Sequence, residues 1–476
     1  MIYTPRPYQQ RMTQTIIERN ALLAARPGLG KTAATADAID QLVFDRLEMQ
    51  RVLIVAPKTV AEDTWPNELQ KWDRFKRLTH RYWAAEDFGY AVEERIVEGV
   101  QVGSKLRPAD AAGLRDKVLA DPAIIHLVSR DNFYNLVLAL GKAWCYDMLV
   151  LDESDGFSDL ESSRYRAAVA VQPYTARTVL LNGTPMGNRL EKLWAQMCLV
   201  DGGAALGSEL TQFRMRWMKP DKMDRRKGKV FQWAPEEGAL EYIIERCRGK
   251  IVAMREEDWL VLPEFVQRTV LVDIPMAPYR KMARELLLEI DADSEAFAAN
   301  AGVLYNKLAQ IACGIVFDTE RDAHELHRVK LDALAEIAEE HQEPLLIWTS
   351  FQPDIARIKK LFPGAEVANQ VTDLERKWNA GQIQRLIAHP ASLAYGKNLQ
   401  DCPGSGMCWF GITSNAVFWN QGIKRLHRGG RKEPVVNYSI VARGTVEEQM
   451  IEMRTARGAL EEDLMVALAF TKEQLR

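Results

Sequence analysis

Ala25-Arg-Pro-Gly-Leu-Gly-Lys-Thr32 follows a short apolar run, Leu22-Leu-Ala-Ala25, and leads into a stretch of helical character starting near Lys31. A strand that turns through glycines into a helix is the layout of a phosphate loop. Glycines let backbone amides come close to an anion, and the helix start adds the positive end of its dipole. Read this way, Pro27, Gly28, Leu29 and Gly30 cradle a nucleotide's phosphates, Lys31 binds the β- and γ-phosphates, and Thr32 ligates Mg²⁺. The usual pattern opens on glycine, where this chain has Ala25. Alone, the segment reads equally well as an ordinary glycine-rich turn, so the interpretation depends on companions elsewhere.

Further apolar runs rich in Val, Ile and Leu recur between helical patterns, which signals buried parallel strands in an α/β layout. The first half has Val52–Val55, Ile124–Val128, Met148–Leu151 and Val179–Leu181; the second has Leu345–Trp348, Arg385–Ala388, Ala416–Trp419 and Val435–Val441. Two doubly wound sheets are expected. A chain of 476 residues exceeds what one hydrophobic core usually supports, which agrees with two domains plus insertions. Residues 201 to 330 differ, with long Ala, Leu, Glu and Arg patterns such as Tyr279 to Ala312 that favour helix.

With 47% hydrophobic and 27% charged residues, the composition is that of a globular protein. No apolar run is long enough to span a bilayer, and the start lacks a charged segment followed by an apolar one, so a cytoplasmic location is expected, without membrane association. The six cysteines are scattered without metal-ligand spacing and read as reduced thiols. His324 and His327 could form half a metal site but read better as solvated surface. A net charge of −3 excludes a strongly basic protein without excluding nucleic acid, whose binding depends on local Lys and Arg clusters.

Met148-Leu-Val-Leu-Asp-Glu153 is an apolar strand ending in two carboxylates, which puts them at the carboxyl edge of a sheet, beside the phosphate loop. Asp152 then holds the Mg²⁺ shell and Glu153 orients and deprotonates an attacking water. The bland alternative is a pair capping the next helix. Arg425 and Arg428, three apart in Gln421-Gly-Ile-Lys-Arg-Leu-His-Arg428, are spaced to share one helix face and to neutralise charge on a transferred phosphoryl group. With Lys424, Arg431 and Lys432 they could instead form a plain basic surface or touch DNA phosphates.

In order and wording these blocks resemble helicase superfamily two, and specifically its Swi/Snf-like branch of double-stranded-DNA translocases. Thr4-Pro-Arg-Pro-Tyr-Gln9 is similar to that branch's adenine-reading motif, with Gln9 as the base-contacting amide. Val55–Thr59 with Trp65 to Trp72, Asn182-Gly-Thr-Pro185 with Asn188 and Leu193–Gln196, Ser350-Phe351, and His389–Ser392 with Gly396-Lys-Asn-Leu399 continue the series. The Gln-x-x-x-Arg-x-His-Arg form of the last block is this branch's own. The resemblance covers nearly the full chain, and the compact form looks most like bacteriophage or prophage members. Departures are Ser154-Asp155 for Ala-His, Pro27 for Met, Arg431 for Gln, and Ala25.

The resemblance implies two tandem RecA-like parallel-sheet lobes. Lobe 1 would be residues 1–255 with a helical insertion at about 201–250, and lobe 2 residues 256–476 with one at about 275–325. It also implies ATP with Mg²⁺ at a cleft between lobes, Gly396 and Asn398 joining the nucleotide site, and Arg214, Arg225, Arg226 and Lys227 of a basic protrusion facing DNA phosphates. From the residues alone, the last four fit a solvated face as well. Lys58, Ser129, Arg130, Ser350 and Ser392 follow expected strands, where open α/β sheets present ligands, and can grip phosphates without reading bases.

The expected function is an ATP-dependent translocase or remodeller on double-stranded DNA, without sequence specificity, acting as a monomer with targeting left to a separate protein. Two alternatives stay open at this point: a strand-separating DNA or RNA helicase, and a nucleotide-gated DNA clamp with negligible turnover.

Overall fold

In the computed structural model, residues 1–468 are described apart from 89–90, 94–95, 98–99, 102–104, 108–110, 187–188, 225–228, 293–296, 318–321, 391 and 394–396. The chain divides into two compact units, one comprising residues 1–223, 232–259 and 461–476, the other 224–231 and 260–460.

Seven strands build the main sheet of the first unit: β1 (Ala21–Ala25), β2 (Val52–Ala56), β3 (His80–Trp83), β4 (Ile125–Ser129), β5 (Met148–Asp152), β6 (Arg177–Asn182) and β7 (Ile251–Met254). They lie in the order β7-β1-β6-β5-β2-β4-β3, and every pairing is parallel. All residues of β1, β2, β4 and β5 are buried, as apolar runs are in a sheet covered by helices on both faces. Only β6 separates β1 from β5, so their carboxyl ends open onto the same edge, where ligands of such sheets sit.

The main sheet of the second unit has six strands: β8 (Phe265–Val272), β9 (Leu345–Trp348), β10 (Glu366–Val367), β11 (Arg385–Ala388), β12 (Gly406–Trp409) and β13 (Val435–Ala442). Their order is β8-β13-β12-β9-β11-β10, again wholly parallel. Trp348 and Trp409 stack at 5.3 Å between centroids, and Trp419 lies 4.5 Å from Trp409. Beside this core, Lys330 and Glu447 form an ion pair of 2.5 Å with both side chains essentially out of solvent. Lys330 also donates to the Phe410 carbonyl, and the Ala442 amide donates to Glu447. These extra bonds compensate the desolvation of both charges.

Strands β3, β7, β8 and β10 were not among the apolar runs of the sequence reading, and further features differ from it. Ala416–Trp419 is not a strand but the start of the helix Ala416–Ile423, because the Asn415 side chain accepts from the amides of Val417 at 2.9 Å and Phe418 at 3.3 Å and fixes a helix start there. The sheet position belongs to β12, whose Gly-Met-Cys-Trp sequence contains no β-branched residue and so gave little strand signal. Within 201–250, helices Leu210–Trp217 and Ala239–Cys247 flank two strands, Met218–Asp224 and Lys229–Pro235, that pair with each other; Val230, Phe231 and Trp233 favour extended backbone. His327 is buried, with Nε2 at 2.9 Å from the Ile311 carbonyl, while His324 is exposed. Among the described residues no group of three metal-ligating side chains occurs, and no helix is long and apolar enough to cross a membrane.

Candidate functional site

The phosphate loop leaves β1 at Ala25 and enters the helix Lys31–Asp40. Ala25 is the last strand residue, in register with Met254, and its carbonyl accepts from Lys31 Nζ at 2.5 Å. A side chain in place of the usual glycine is therefore accommodated inside the sheet. Gly28 and Gly30 have φ of 94° and 72°, the left-handed region that L-residues avoid. Gly30 has a second constraint: a Cβ there would run into the side-chain amide of Gln9. Gln9 is held by its own helix start, Oε1 accepting from the Arg6 amide at 2.9 Å, and its Nε2 lies 3.5 Å from the Leu29 carbonyl. Arg26 donates to the Gly183 carbonyl at 3.4 Å, joining the loop to the segment after β6.

Asp152 ends β5, and its two oxygens have fixed donors: Trp65 Nε1 at 2.9 Å and the Glu153 amide at 2.9 Å. Glu153 adopts φ of 50°, a left-handed conformation rare outside glycine and characteristic of functional turns. Burial pushes both carboxyls above their ordinary range, Glu153 to about 7, while the Lys31 ammonium opposes the shift in each. Lys31, Thr32, Asp152 and Glu153 thus gather at one sheet edge. The Thr32 hydroxyl and Asp152 carboxylate are hard oxygen donors of the kind Mg²⁺ takes, and the Trp65 and amide bonds orient Asp152 as outer-shell partners orient a metal ligand. The donor set fits that ion. A carboxyl titrating near neutrality fits a general base.

Behind Glu153 lies a buried polar network that local sequence patterns do not reveal. Gln196 Oε1 accepts from Ser154 Oγ at 2.6 Å and from Asn182 Nδ2 at 3.0 Å, and its Nε2 donates to the Pro185 and Lys192 carbonyls. Asn182 Oδ1 in turn accepts from the Thr184 amide at 2.9 Å. Ser154, which stands in place of alanine, thereby joins the acidic turn to the Asn182–Pro185 segment. The sequence marked Ser154 as a departure and Asn182–Pro185 and Leu193–Gln196 as separate blocks, without the bonds that join them.

In the second unit, Arg425 and Arg428 do not share a helix face, because the helix ends at Ile423 and both lie in the turns that follow. Arg425 is buried, donating to the Gln421 carbonyl at 3.0 Å and the Lys397 carbonyl at 2.8 Å. Arg428 donates to the side-chain oxygen of Asn398, so the structure does bring these three residues together. The helix packs very closely: a Cβ on Gly422 would stand 2.9 Å from the Trp409 ring. Arg431 is no surface cation, since it is buried and donates to the Ser405 hydroxyl at 2.8 Å and carbonyl at 2.7 Å.

The residues considered for DNA contact have varied settings. Lys58 is exposed beyond the carboxyl end of β2, Ser350 half-buried beyond β9, and Ser392 exposed beyond β11 with its hydroxyl donating to the His389 carbonyl at 2.8 Å. Ser129 is buried and caps the helix Arg130–Leu140, and Arg130 reaches the Glu153 carbonyl at 3.5 Å. Arg214 forms an ion pair of 3.2 Å with Glu191. Asn188, Arg225, Arg226, Lys227 and Gly396 lie outside the described residues.

Residues 10–220 match the SNF2-related domain family. Putative protein p41 of Acyrthosiphon pisum secondary endosymbiont phage 1 is 30% identical to this chain, over 98% of it and 99% of the phage protein. An uncharacterized ATP-dependent helicase of Mycoplasma pneumoniae is 23% identical over 99% of this chain, which spans only 43% of that longer protein. Among solved structures, the Sulfolobus solfataricus SWI2/SNF2 ATPase core in complex with dsDNA aligns over 99% of this chain and 96% of its own length, with a TM-score of 0.42 and 18% identity.

Proposed function

Because the chain belongs to the Swi/Snf-like branch of helicase superfamily two and is a DNA-dependent ATPase, we propose that it couples ATP hydrolysis to movement along double-stranded DNA. The observation that carries this reading is the convergence of Lys31, Thr32, Asp152 and Glu153 at one sheet edge, with Gln9 against the same loop.

In the proposed cycle, amides of Gly28 to Thr32 and the Lys31 ammonium hold the phosphates, and Gln9 contacts the adenine. Thr32 and Asp152 would hold Mg²⁺, which neutralises charge on the β- and γ-phosphates. Glu153 takes a proton from the water that attacks the γ-phosphorus, and ADP leaves as the bond to the β-phosphate oxygen breaks. Arg425 and Arg428 are the proposed stabilisers of the charge on the transferred group. Lys58, Ser129 and Arg130 of the first unit and Ser350 and Ser392 of the second are the proposed grip on phosphates of one DNA strand. Opening and closing would then advance that grip in small steps.

ATPase rates measured without nucleic acid and with single strands, duplex or RNA test the proposal, together with displacement of a third strand from a triplex. Duplex is expected to stimulate most and to support displacement. Stronger stimulation by single strands selects a strand-separating helicase instead. Tight ATP-dependent DNA binding with negligible turnover selects a clamp.

A further inference from the structure

The second unit contains a cavity of about 340 Å³ bordered by β8, β13, the helix Ala416–Ile423 and the helix Val446–Leu468. Gln267, Thr269 and Thr455 form its exposed rim, and Trp419, Ser439 and Arg454 its buried floor. Arg454 is only 9% exposed, and its guanidinium carbon lies 3.4 Å from the Trp419 ring centroid. One of its terminal nitrogens, NH1, is buried without a hydrogen-bond acceptor among the described residues.

This is an unusual state for a guanidinium. Stacking on tryptophan satisfies the face of the cation, but its N–H groups point outward in the plane and need acceptors. Burial lowers the Arg454 pKa to about 10, so the charge persists at neutral pH. A buried cation of this kind is normally paired. Next to it, Ser439 Oγ accepts from Gln267 Nε2 at 3.2 Å and keeps its own proton to donate. The floor and rim therefore offer a planar fork of donors, hydroxyls and side-chain amides, with no carboxylate among the lining residues.

We propose that this cavity is an oxyanion site that binds a phosphate group, with Arg454 as its charged anchor. The guanidinium fork matches the geometry of phosphate oxygens, and the hydroxyls of Ser439 and Thr269 complete the donor set, the Thr455 hydroxyl donating instead to the Ile451 carbonyl at 2.9 Å. The phosphate comes either from a free anion or from a nucleic-acid backbone.

The two sources are separated by titrating the full chain carrying Lys31→Ala, which removes the phosphate-loop lysine, with inorganic phosphate and, separately, with short duplex DNA at constant ionic strength. Saturable binding of inorganic phosphate is expected by calorimetry, weakened roughly tenfold or more by Arg454→Met. The same substitution should raise the thermal midpoint in phosphate-free buffer, since a desolvated charge is replaced by an apolar side chain of similar length. Thr269→Val leaves the Arg454–Trp419 stack intact and should weaken binding severalfold, which covers the case of an Arg454 variant that fails to fold. Dependence on Arg454 or Thr269 for duplex alone assigns the phosphate to DNA. The proposal is overturned if neither ligand's affinity responds to either substitution.

Discussion

At Glu153 the backbone and the side chain are both under constraint. Its left-handed φ of 50° costs on the order of 1 kcal/mol for a residue with a Cβ, and partial burial raises its carboxyl to about 7 from 4.5. Glu153→Gln should keep ATP binding and lose turnover by about 10²- to 10⁴-fold, because an amide cannot take the proton; nucleotide binding and phosphate release measure the two effects. Turnover of the parent should rise with pH through the neutral range as the base deprotonates.

The same shift fixes the sign of a stability effect. A carboxyl with a raised folded-state pKa binds its proton more tightly in the native state, so ionising it costs stability above about pH 7, and that cost fades as pH falls toward 4.5. Melting curves should show Glu153→Gln more stable than the parent at about pH 8, with the gap closing near pH 5. The acidic pair was legible in the sequence because a strand followed by Asp-Glu is a local pattern. Trp65 on Asp152 and Gln196 on Ser154 were not, because each bond joins residues far apart in the chain.

Elements in both units are tied by buried polar contacts. Glu447→Ala would leave the Lys330 ammonium uncompensated and should cost about 3–5 kcal/mol in a denaturant titration, whereas replacing both partners by Met and Leu should come close to the parent. Gln196→Leu removes the acceptor shared by Ser154 and Asn182. It should lower stability by roughly 1–3 kcal/mol and reduce DNA-stimulated turnover more than basal turnover, seen by comparing ATPase rates with and without duplex. Most strands of the two main sheets were legible as apolar runs. The exchange of Ala416–Trp419 for Gly406–Trp409 shows the limit: a short apolar run fits a buried helix as well as a strand, and the Asn415 cap decided between them.

For the molecule as a whole, Arg428→Ala should lower turnover by about 10³- to 10⁵-fold while DNA affinity measured by anisotropy stays at the parental value. Equal loss of both would put Arg428 on DNA. The tandem α/β organisation was visible from the spacing of apolar runs. The paired strands between residues 218 and 235 were not visible, because the basic residues around them carry no strand period.

Parallel strands cannot pair through tight hairpins, and in the first unit Leu22 pairs with Leu180 on one side and Ile251 on the other. The strand made earliest must therefore wait for the last one before its sheet can close. High contact order of this kind slows folding and prolongs exposure of unpaired strand edges. Ribosome-bound chains truncated before residue 251 should thus remain protease-sensitive and dependent on chaperones, with protection gained only after that final strand emerges.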